Sequence, residues 1–447
     1  MRKPLEYYKQ LVDDNFQESL ENAAKLQEYI KKYTARYHGY YVHTLYIPKM
    51  FTEEMLNYFN EISSVIYNIL EKVIYEYQTN EKYRALFGFE KKLENLILRP
   101  AHYECALPIA RIDIFFNEDD FSFKFCEFNA DGSSAMNEDK ELNEAIKLTS
   151  TYDKFTQKYD VRTFELFHSW VKTFADIYKT YDNAVENPYV VITDFFGGDI
   201  SREFTAFKKA FEENSFECEI CEITDLKYDG SNLISPLGRK INAVYRRAVT
   251  CDIMRNYDKV LPFIHAAENN DVCLIGDFKT QIVHNKIVFK VLCDEMTFAF
   301  LTDEEIEFIK KHIPYTADLT HEEIEKHDVL NTRYKWVIKP EDSYASRGVY
   351  AGVEGMTDEE WKEKVTENIG NHYLLQEYCE PYATLNIDIT YDKNADYKKY
   401  SNITGMYLYG GKLAGLYSRI AKNSIISTQY SEMSLPTIIV KEKASSS

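Results

Sequence analysis

Two short apolar segments with polar residues at every second position constrain the fold of this chain more than any other feature. The first contains Arg111 and Asp113, and the second contains Glu127 and Asn129. Because successive side chains of a strand point to opposite faces, this alternation predicts two strands, each with a polar face and an apolar face. The residues expected to face a core are Ile112, Ile114, Cys126 and Phe128.

The two strands are expected to form a hairpin, and the length of its turn decides whether the polar faces coincide. Asp113 and Glu127 lie on one face only if the connecting loop has an odd number of residues. A three-residue loop at 118–120 meets this condition. It predicts that Asn117 pairs with Phe121 and that Asp113 pairs with Phe125, two residues from Glu127.

Carboxylate and amide oxygens on one face of this hairpin predict a site for a hard metal ion. Asp113, Glu127 and Asn129 are oxygen ligands of the kind that suit Mg²⁺ or Mn²⁺ better than Zn²⁺. Magnesium often completes its coordination with water and phosphate oxygens, so the pattern points to nucleoside triphosphate chemistry. Acidic residues on the solvent face of an amphipathic hairpin are also common, and the hairpin alone leaves both interpretations open.

Charge and composition argue against several classes of function. The 447 residues include 53 Lys and Arg against 72 Asp and Glu, a formal net charge of −19 that repels a phosphate backbone, so we expect no nucleic-acid partner. No apolar run approaches the roughly 18 residues of a membrane helix, and residues 1–14 are charged throughout. We therefore expect a cytoplasmic protein without a membrane partner. Cys218 and Cys221 are separated by strand-like alternation, so the eight cysteines are expected to be reduced core thiols.

Helical periodicity dominates the first 80 residues and returns between residues 137 and 181. Apolar residues recur at spacings of three and four in both regions, which predicts amphipathic helices that serve as scaffold. In the first region, over 52–77, the apolar positions are Met55, Phe59, Ile62, Ile66, Ile69, Val73 and Tyr77. In the second they are Phe164, Phe167, Trp170, Val171, Phe174 and Ile177.

After Pro188 the pattern predicts a small Rossmann-like α/β domain. Strands at 189–194, 218–223 and 241–245, with a helix at 201–213, follow the order of a βαβ unit. The glycine turn at 195–198 lacks the spacing of a dinucleotide fingerprint. Arg246 and Arg247 follow the third strand. Arginines at the carboxyl end of a parallel strand can hold a substrate carboxylate, or can serve as surface ion-pair partners, and the sequence leaves both open.

Two lysines beside apolar segments are candidates for binding nucleotide phosphates. Lys339 ends a predicted strand at 336–340 and precedes a loop that contains Arg347. Lys286 precedes an apolar segment, and Lys290 within that segment is the alternative candidate for the same role. An ammonium group supplies charge to such a site, and the backbone N–H groups of the loop line it. Lysines that extend from strand ends to solvent give the same pattern. Further strands are predicted at 373–376, and a hairpin at 405–418.

Taken together, these motifs resemble those of the circularly permuted ATP-grasp proteins, a group that includes the synthetase domain of glutathionylspermidine synthase. The motifs are Arg111-x-Asp113, Glu127-x-Asn129-Ala130-Asp131, His284-Asn285-Lys286, Val337-Ile338-Lys339-Pro340 and Tyr373-Leu374-Leu375-Gln376-Glu377-Tyr378. In an ordinary ATP-grasp chain the phosphate-binding lysines precede the metal carboxylates, whereas here they follow them, as a permutation predicts. The resemblance covers residues 90–430.

The resemblance implies a role for each motif. Asp113, Glu127 and Asn129 would hold two Mg²⁺ ions, with Mn²⁺ as an alternative, that bridge the phosphates of ATP. Lys286 and Lys339 would bind those phosphates from the other lobe, with Arg347 adding charge. Gln376, Glu377 and Tyr378 would form the hinge that recognises adenine through its backbone. Arg111 and Arg419 would face the transferred phosphoryl group, and Ser133 and Ser134 would contact substrate, a role also considered for Arg246 and Arg247.

The implied fold is α/β, and more closely an α+β ATP-grasp fold with circularly permuted lobes, an inserted Rossmann-like α/β domain and an N-terminal helical region. The expected domains are 1–90, 91–185, 186–280 and 281–440. The implied function is an ATP-dependent carboxylate–amine ligase that acts through an acyl phosphate and releases ADP and phosphate. Its partners would be a small-molecule or peptide carboxylate and an amine, neither of which the sequence identifies. The alternatives are a degenerate nucleotide-binding module and a phosphotransferase on the same fold.

Overall fold

The computed structural model describes residues 2–34, 36–37, 40–197, 200–343, 347–353, 355–423, 425–426 and 432–444. These residues form a mixed α/β fold, as the sequence predicts. The helices are α1 (Arg2–Asp14), α2 (Phe16–Tyr33), α3 (Glu53–Thr79), α4 (Glu81–Arg84), α5 (Lys91–Leu98), α6 (Met136–Ile146), α7 (Ser150–Lys158), α8 (Phe167–Tyr178), α9 (Arg202–Glu213), α10 (Thr250–Arg255), α11 (Leu261–Glu268), α12 (Gln281–His284), α13 (Val288–Leu292), α14 (Glu295–Phe298), α15 (Asp303–His312), α16 (His321–Lys326) and α17 (Asp358–Asn368). The strands are β1 (Arg36–Tyr37), β2 (Tyr40–Tyr41), β3 (Lys49–Thr52), β4 (Ile109–Phe116), β5 (Phe123–Asn129), β6 (Tyr159–Arg162), β7 (Tyr189–Asp194), β8 (Glu217–Glu222), β9 (Lys227–Tyr228), β10 (Leu233–Ile234), β11 (Ala243–Arg246), β12 (Cys273–Ile275), β13 (Thr316–Asp318), β14 (Trp336–Pro340), β15 (Tyr350–Ala351), β16 (Tyr373–Glu377), β17 (Ala383–Asn386), β18 (Lys398–Tyr409), β19 (Lys412–Ala421), β20 (Met433–Leu435) and β21 (Thr437–Glu442).

A six-stranded antiparallel sheet carries the predicted hairpin. Its strand order is β20-β19-β18-β4-β5, and β17 pairs with the first part of β18. Ile112, Ile114 and Phe128 are buried in one core with the apolar side of α3, which confirms the predicted apolar face. The turn between β18 and β19 is Gly410-Gly411, whose φ angles of 52° and 81° are those that a two-residue type I′ turn requires.

The hairpin forms, but its predicted register is wrong. The N–H of Asn117 donates to Ser122 O at 2.8 Å, so the turn between them has four residues instead of three. Asp113 pairs with Glu127 and not with Phe125, because the longer turn shifts the pairing by one residue and a β-bulge at Cys126 shifts it by one more. The bulge shifts the alternation of β5 by one residue, so Glu127 still shares a face with Asp113. Cys126 itself is half-buried at this bulge, which corrects its predicted place in the core.

The Rossmann-like pattern after Pro188 is confirmed as a parallel sheet. Its order is β12-β11-β7-β8, and each neighbouring pair of strands is parallel. Strand β7 spans the predicted residues, and α9 begins one residue later than predicted. Helix α8 buries Phe167, Trp170, Val171, Phe174 and Ile177 as predicted, while Phe164 lies before the helix begins.

The N-terminal region is helical only in part. Helix α3 buries every predicted apolar position, and Thr52 caps it by accepting a hydrogen bond from Met55 N–H at 3.3 Å. The prediction that the first 80 residues are helical is wrong for residues 36–37 and 40–52, where the structure has β1, β2, β3 and irregular chain; β3 pairs in parallel with β21 in a three-stranded sheet with β6. A separate antiparallel sheet has the order β13-β16-β14-β15 and carries Lys339. Within the described ranges, no helix is long and apolar enough to cross a membrane.

Candidate functional site

Asp113 is the centre of a buried ion-pair network on the polar face of the six-stranded sheet. Its carboxylate is fully buried and accepts hydrogen bonds from Arg111 Nε at 2.8 Å and Arg111 Nη2 at 3.0 Å. Arg419 Nη2 reaches the same carboxylate from β19 at 2.5 Å, and Asn129 Nδ2 reaches it at 3.2 Å. Three of these four donors share Oδ2, so that oxygen has little capacity left for another partner.

Further contacts fix the orientation of both arginine side chains in this network. Arg111 Nη1 donates to Ser134 O at 3.1 Å, and Arg419 Nη1 donates to Glu432 at 3.3 Å. Burial alone would lower the pKa of both guanidinium groups. The carboxylate of Asp113 raises the pKa of Arg111, and the carboxylates of Glu432 and Asp113 raise the pKa of Arg419. Both arginines therefore stay charged and in fixed positions.

Gly405 on β18 lets these side chains meet across the strand between them. Gly405 pairs with Asp113 in the sheet, and a Cβ atom built on it would lie 2.8 Å from both Arg111 Cδ and Asp113 Oδ1. A Cβ at that distance would force the Arg111 and Asp113 side chains to move, so glycine at this strand position leaves room for the network. Sequence analysis missed this residue, although a glycine inside a predicted strand was the available signal.

Glu127 is the carboxylate that faces the lysines. Its Oε1 lies 3.2 Å from Lys286 Nζ, and its side chain is 26% exposed, whereas that of Asp113 is 0% exposed. Burial works against its charge, but Lys286, Lys339, His284 and Arg419 lower the pKa of Glu127 to about 2. Glu127 is therefore ionised at physiological pH. Its contact with Lys286 places that lysine at the site, while the competitor Lys290 pairs with Asp318 at 2.9 Å.

The second lysine, Lys339, approaches the hairpin from the separate antiparallel sheet. It is buried, its Nζ donates to the carbonyl of the bulged Cys126 at 3.4 Å, and it lies 5.1 Å from the Phe289 ring centroid. Burial lowers the pKa of Lys339 because water no longer solvates the ammonium group. The two lysines and Glu127 therefore meet in one cleft between two sheets.

Several buried polar atoms around this cleft have no hydrogen-bond partner among the described residues. They are His284 Nδ1, Gln281 Oε1, Ser343 Oγ and Arg419 Nε. Buried polar groups in folded proteins are usually paired, so these four atoms are available to a ligand or to ordered water. His284, Gln281 and Ser343 were not predicted as site residues, and only their closeness in sequence to Lys286 and Lys339 could have suggested them.

The cleft offers two oxygen donors that suit a hard metal ion. Glu127 faces it, and Asn129 donates to Asp113 through Nδ2, which leaves its carbonyl oxygen Oδ1 for another partner. The described part of the chain has no group of three or more His, Cys, Asp or Glu residues placed to hold a metal ion. The role of Asp113 as a metal ligand stays a prediction, and it would require the release of one of its present donors.

The segment predicted to recognise adenine lies at the end of β16. The side chain of Gln376 donates to Thr316 at 2.8 Å. The N–H of Glu377 donates to Tyr315 O, and the N–H of Tyr378 donates to Lys335 O. Both N–H groups are therefore used within the protein, and the carbonyl of Glu377 accepts a hydrogen bond from Cys379 Sγ at 3.8 Å.

The tandem arginines after β11 are buried, and only one of them has free hydrogen-bonding capacity. Arg246 pairs with Asp131 at 2.6 Å and donates to the carbonyls of Ala248 and Gly276. Arg247 pairs with Glu203 at 2.6 Å, while its Nε and Nη1 are buried without a partner in the described structure. Arg246 therefore anchors the loop after β5 to the parallel sheet, and Arg247 is the better placed of the two for a ligand.

The remaining predicted positions lie in two loops. Ser133 is buried and its hydroxyl donates to Asn129 O, whereas Ser134 is exposed and its carbonyl accepts from Arg111 and from Tyr407 at 2.8 Å. In the loop after Lys339, residues 344–346 lie outside the described residues, and Arg347 is exposed. Lys286 Nζ donates to Ser343 O at 2.5 Å, which ties the start of this loop to the site.

Comparisons with known proteins bear on the fold. No protein-family model and no curated protein matches the chain. One similar solved structure is a glutathione synthetase-like effector from Globodera pallida in its apoform, at 12% identity and a TM-score of 0.61, covering 94% of this chain and 96% of that one. Another is a putative gamma-glutamylcysteine synthetase from Methylobacillus flagellatus, at 9% identity and a TM-score of 0.34 over 85% of each chain, too low to support an argument. The chain therefore shares the fold of the Globodera pallida effector.

Proposed function

We propose that the protein is an ATP-dependent carboxylate–amine ligase that forms an amide or peptide bond through an acyl phosphate and releases ADP and phosphate. The observation that carries this proposal is the cleft in which Glu127 faces Lys286 and Lys339 beside the arginines held by Asp113. The orphaned polar atoms around the cleft support a ligand there. The glutathione synthetase-like fold supports the same reaction class.

The residues of the cleft have different roles in binding and activation. Lys286 and Lys339 supply positive charge for a triphosphate, and leave their present acceptors, Glu127 and the Cys126 carbonyl, when it binds. Arg111 and Arg419 are fixed by Asp113, so they stabilise negative charge on a transferred phosphoryl group without reorganising. Glu127 and Asn129 would hold Mg²⁺, with Mn²⁺ as an alternative, and the ion would supply charge neutralisation and orientation of the phosphates.

Two finer features belong to the same proposal. We infer that the lobes are circularly permuted, because Asp113 and Glu127 precede Lys286 and Lys339 in the chain while all four residues lie around one site. We also infer action in the cytoplasm, since all eight cysteines are unpaired, as in a reducing compartment.

A screen for ADP release tests this function. The protein is incubated with ATP, Mg²⁺ and pools of carboxylates and amines, and products are identified by mass spectrometry. Hydroxylamine replaces the amine in a parallel reaction, because an acyl phosphate yields a hydroxamate whereas a phosphate ester does not. Lys286→Met should abolish turnover, and Lys290→Met, the matched control away from the cleft, should leave it intact.

The outcomes separate the proposal from its alternatives. ADP release with hydroxamate formation supports the ligase. ADP release without hydroxamate, and with a phosphorylated alcohol among the products, would indicate a phosphotransferase. Binding of ATP without turnover against any pool would favour a degenerate nucleotide-binding module. Equal activity of the Lys286 and Lys290 variants would contradict the assignment of the cleft.

A further inference from the structure

His284 is a buried side chain of the candidate site to which the proposed reaction assigns no role. It lies in α12, two positions before Lys286, and it is 6% exposed. Its Nδ1 atom is buried and has no hydrogen-bond partner among the described residues. A buried ring nitrogen without a partner costs free energy, so a contact from outside the protein would stabilise this position.

His312 shows how the same fold accommodates a histidine that only packs. It is 5% exposed, close to the value for His284. Its Nδ1 lies 3.0 Å from Phe123 O, and its ring stacks on the Phe123 ring at a centroid distance of 3.8 Å. The two histidines are buried to the same extent, so burial alone does not explain why Nδ1 of His284 has no partner.

Two hydrogen bonds, one on each side of His284 in the chain, hold α12 against the start of the loop after β14. The side chain of Gln281 donates to Asp342 Oδ2 at 2.7 Å. The N–H of Lys286 donates to Glu341 O at 2.9 Å. The backbone on both sides of His284 is therefore fixed beside the loop that follows the second phosphate-binding lysine.

The ring of His284 lies near the carboxylate that faces the two lysines. In its protonated form it lowers the pKa of Glu127, and its effect is the third largest after those of Lys286 and Lys339. An interaction between charges of this kind requires a short distance, since it weakens with separation and with exposure to water. His284 therefore belongs to the same part of the cleft as the lysines.

The chemistry of this part of the cleft favours a phosphate oxygen as the partner of Nδ1. Mg²⁺ prefers oxygen ligands, so an imidazole nitrogen is a poor choice for that ion. The residues considered for substrate binding follow β5 and β11 and are not part of α12. A ring N–H is a donor, and phosphate oxygens are strong acceptors whose charge strengthens the hydrogen bond.

We propose that His284 is a third phosphate-binding residue of the cleft, whose Nδ1–H donates to a phosphate oxygen of ATP beside Lys286. This inference rests on the proposed function, because it takes a nucleoside triphosphate as the occupant of the cleft. One neutral tautomer and the protonated ring both carry a hydrogen on Nδ1, so the contact does not depend on the charge of the ring.

Calorimetric titration of ATP into the wild-type protein and three His284 variants tests the proposal. His284→Ala should lower ATP affinity by about tenfold or more, the size expected for a lost hydrogen bond to a charged group. In His284→Asn the amide nitrogen can take the position of Nδ1, so affinity should stay within about threefold of the wild-type value. In His284→Gln the amide lies one bond further from the backbone, where Nε2 was, and the loss should match that of His284→Ala.

A second set of titrations, with EDTA in place of Mg²⁺, separates a phosphate contact from a metal contact. His284→Ala should weaken ATP by the same factor in both conditions, because a hydrogen bond to phosphate needs no ion. His168→Ala is the matched control, since this histidine is exposed in α8 and lies 3.2 Å from Glu213. It should bind ATP like the wild-type protein, and thermal unfolding verifies that every variant is folded.

The outcomes distinguish this inference from the proposed function. A wild-type protein that does not bind ATP would overturn both. Binding by the wild-type protein with unchanged affinity in His284→Ala would overturn this inference alone. Equal losses in His284→Asn and His284→Gln would show that the packing of the ring matters and Nδ1 does not, and a loss confined to Mg²⁺ would place His284 at the metal. Either result would refute the phosphate contact.

Discussion

The most informative single change is Asp113→Asn, because it separates an ion-pair centre from a metal ligand. The carboxylate of Asp113 is fully buried and accepts four hydrogen bonds, two from Arg111 and one each from Arg419 and Asn129. Asparagine keeps the shape but removes the charge, and it turns one acceptor into a donor that faces other donors. Removing one partner of a buried ion pair costs about 3–5 kcal/mol, and we expect a loss of that size.

Urea denaturation followed by circular dichroism measures this loss, and Glu127→Gln is the matched control. Glu127 pairs with Asp113 in the sheet, but its side chain is 26% exposed, so water partly solvates the charges that its replacement leaves unpaired, and the loss of stability should be smaller than that of Asp113→Asn. Both variants should lose ATP-dependent turnover. The double variant Asp113→Asn, Arg419→Gln should recover part of the stability, because it removes one of the uncompensated charges.

One result would refute this reasoning. If Asp113→Asn is within about 1 kcal/mol of the wild-type protein while Mg²⁺-dependent nucleotide binding is lost, Asp113 acts on the metal and its ion pairs contribute little. A large loss of stability in Glu127→Gln with none in Asp113→Asn would reverse the roles assigned to the two carboxylates.

Four further predictions follow from the same geometry. Lys339→Met should keep or slightly raise stability, because it removes a desolvated charge. The same change should lower ATP affinity by at least about tenfold in titration calorimetry, and unchanged affinity would contradict a phosphate contact. Gly405→Ala should destabilise the protein by about 2 kcal/mol or more in urea denaturation, because its Cβ overlaps Arg111 and Asp113, and a neutral result would mean that the network is looser than described. Arg419→Ala should lower kcat far more than it raises the KM for ATP, and equal effects on both would indicate ground-state binding. Burial lowers the pKa of His312 to about 4, so this residue binds more protons in the unfolded chain between pH 6.5 and 4. Its contribution to stability falls by up to about 3 kcal/mol as the pH drops through this range, and His312→Phe should remove that contribution in urea titrations at each pH.

Local patterns predicted the elements well wherever one period ran without interruption. Helix α3 follows from apolar spacings of three and four, and β7 follows from a run of β-branched residues bounded by Pro188. The predicted register failed first at the turn, which has four residues, and again at the bulge at Cys126, which broke the period-two pattern. Phe123, Phe125 and Phe128 are all buried, and this change from a spacing of two to one of three was the signal of the bulge.

Local sequence patterns could not predict which residues pair with the buried charges. Arg246 was considered for a substrate carboxylate, but Asp131, which lies 115 positions earlier in the chain, neutralises it. A buried guanidinium needs a carboxylate nearby, and the sequence contains 72 acidic residues from which that partner could come. Only the packing of the loop after β5 against the parallel sheet determines that Asp131 is the partner of Arg246.

The sequence by itself determined the strands and helices in which one period runs without interruption, which of their faces are polar, and which carboxylates, lysines and arginines are candidates for a site. These properties depend on periodicities of two and 3.6 residues, which a short stretch of chain contains in full. The tertiary structure decided which of these residues meet. Arg419 reaches Asp113 across 306 positions because β19, β18 and β4 are neighbours in one sheet and Gly405 leaves room between them. Because Asp113 is enclosed by these partners, Glu127 is the carboxylate that faces the lysines.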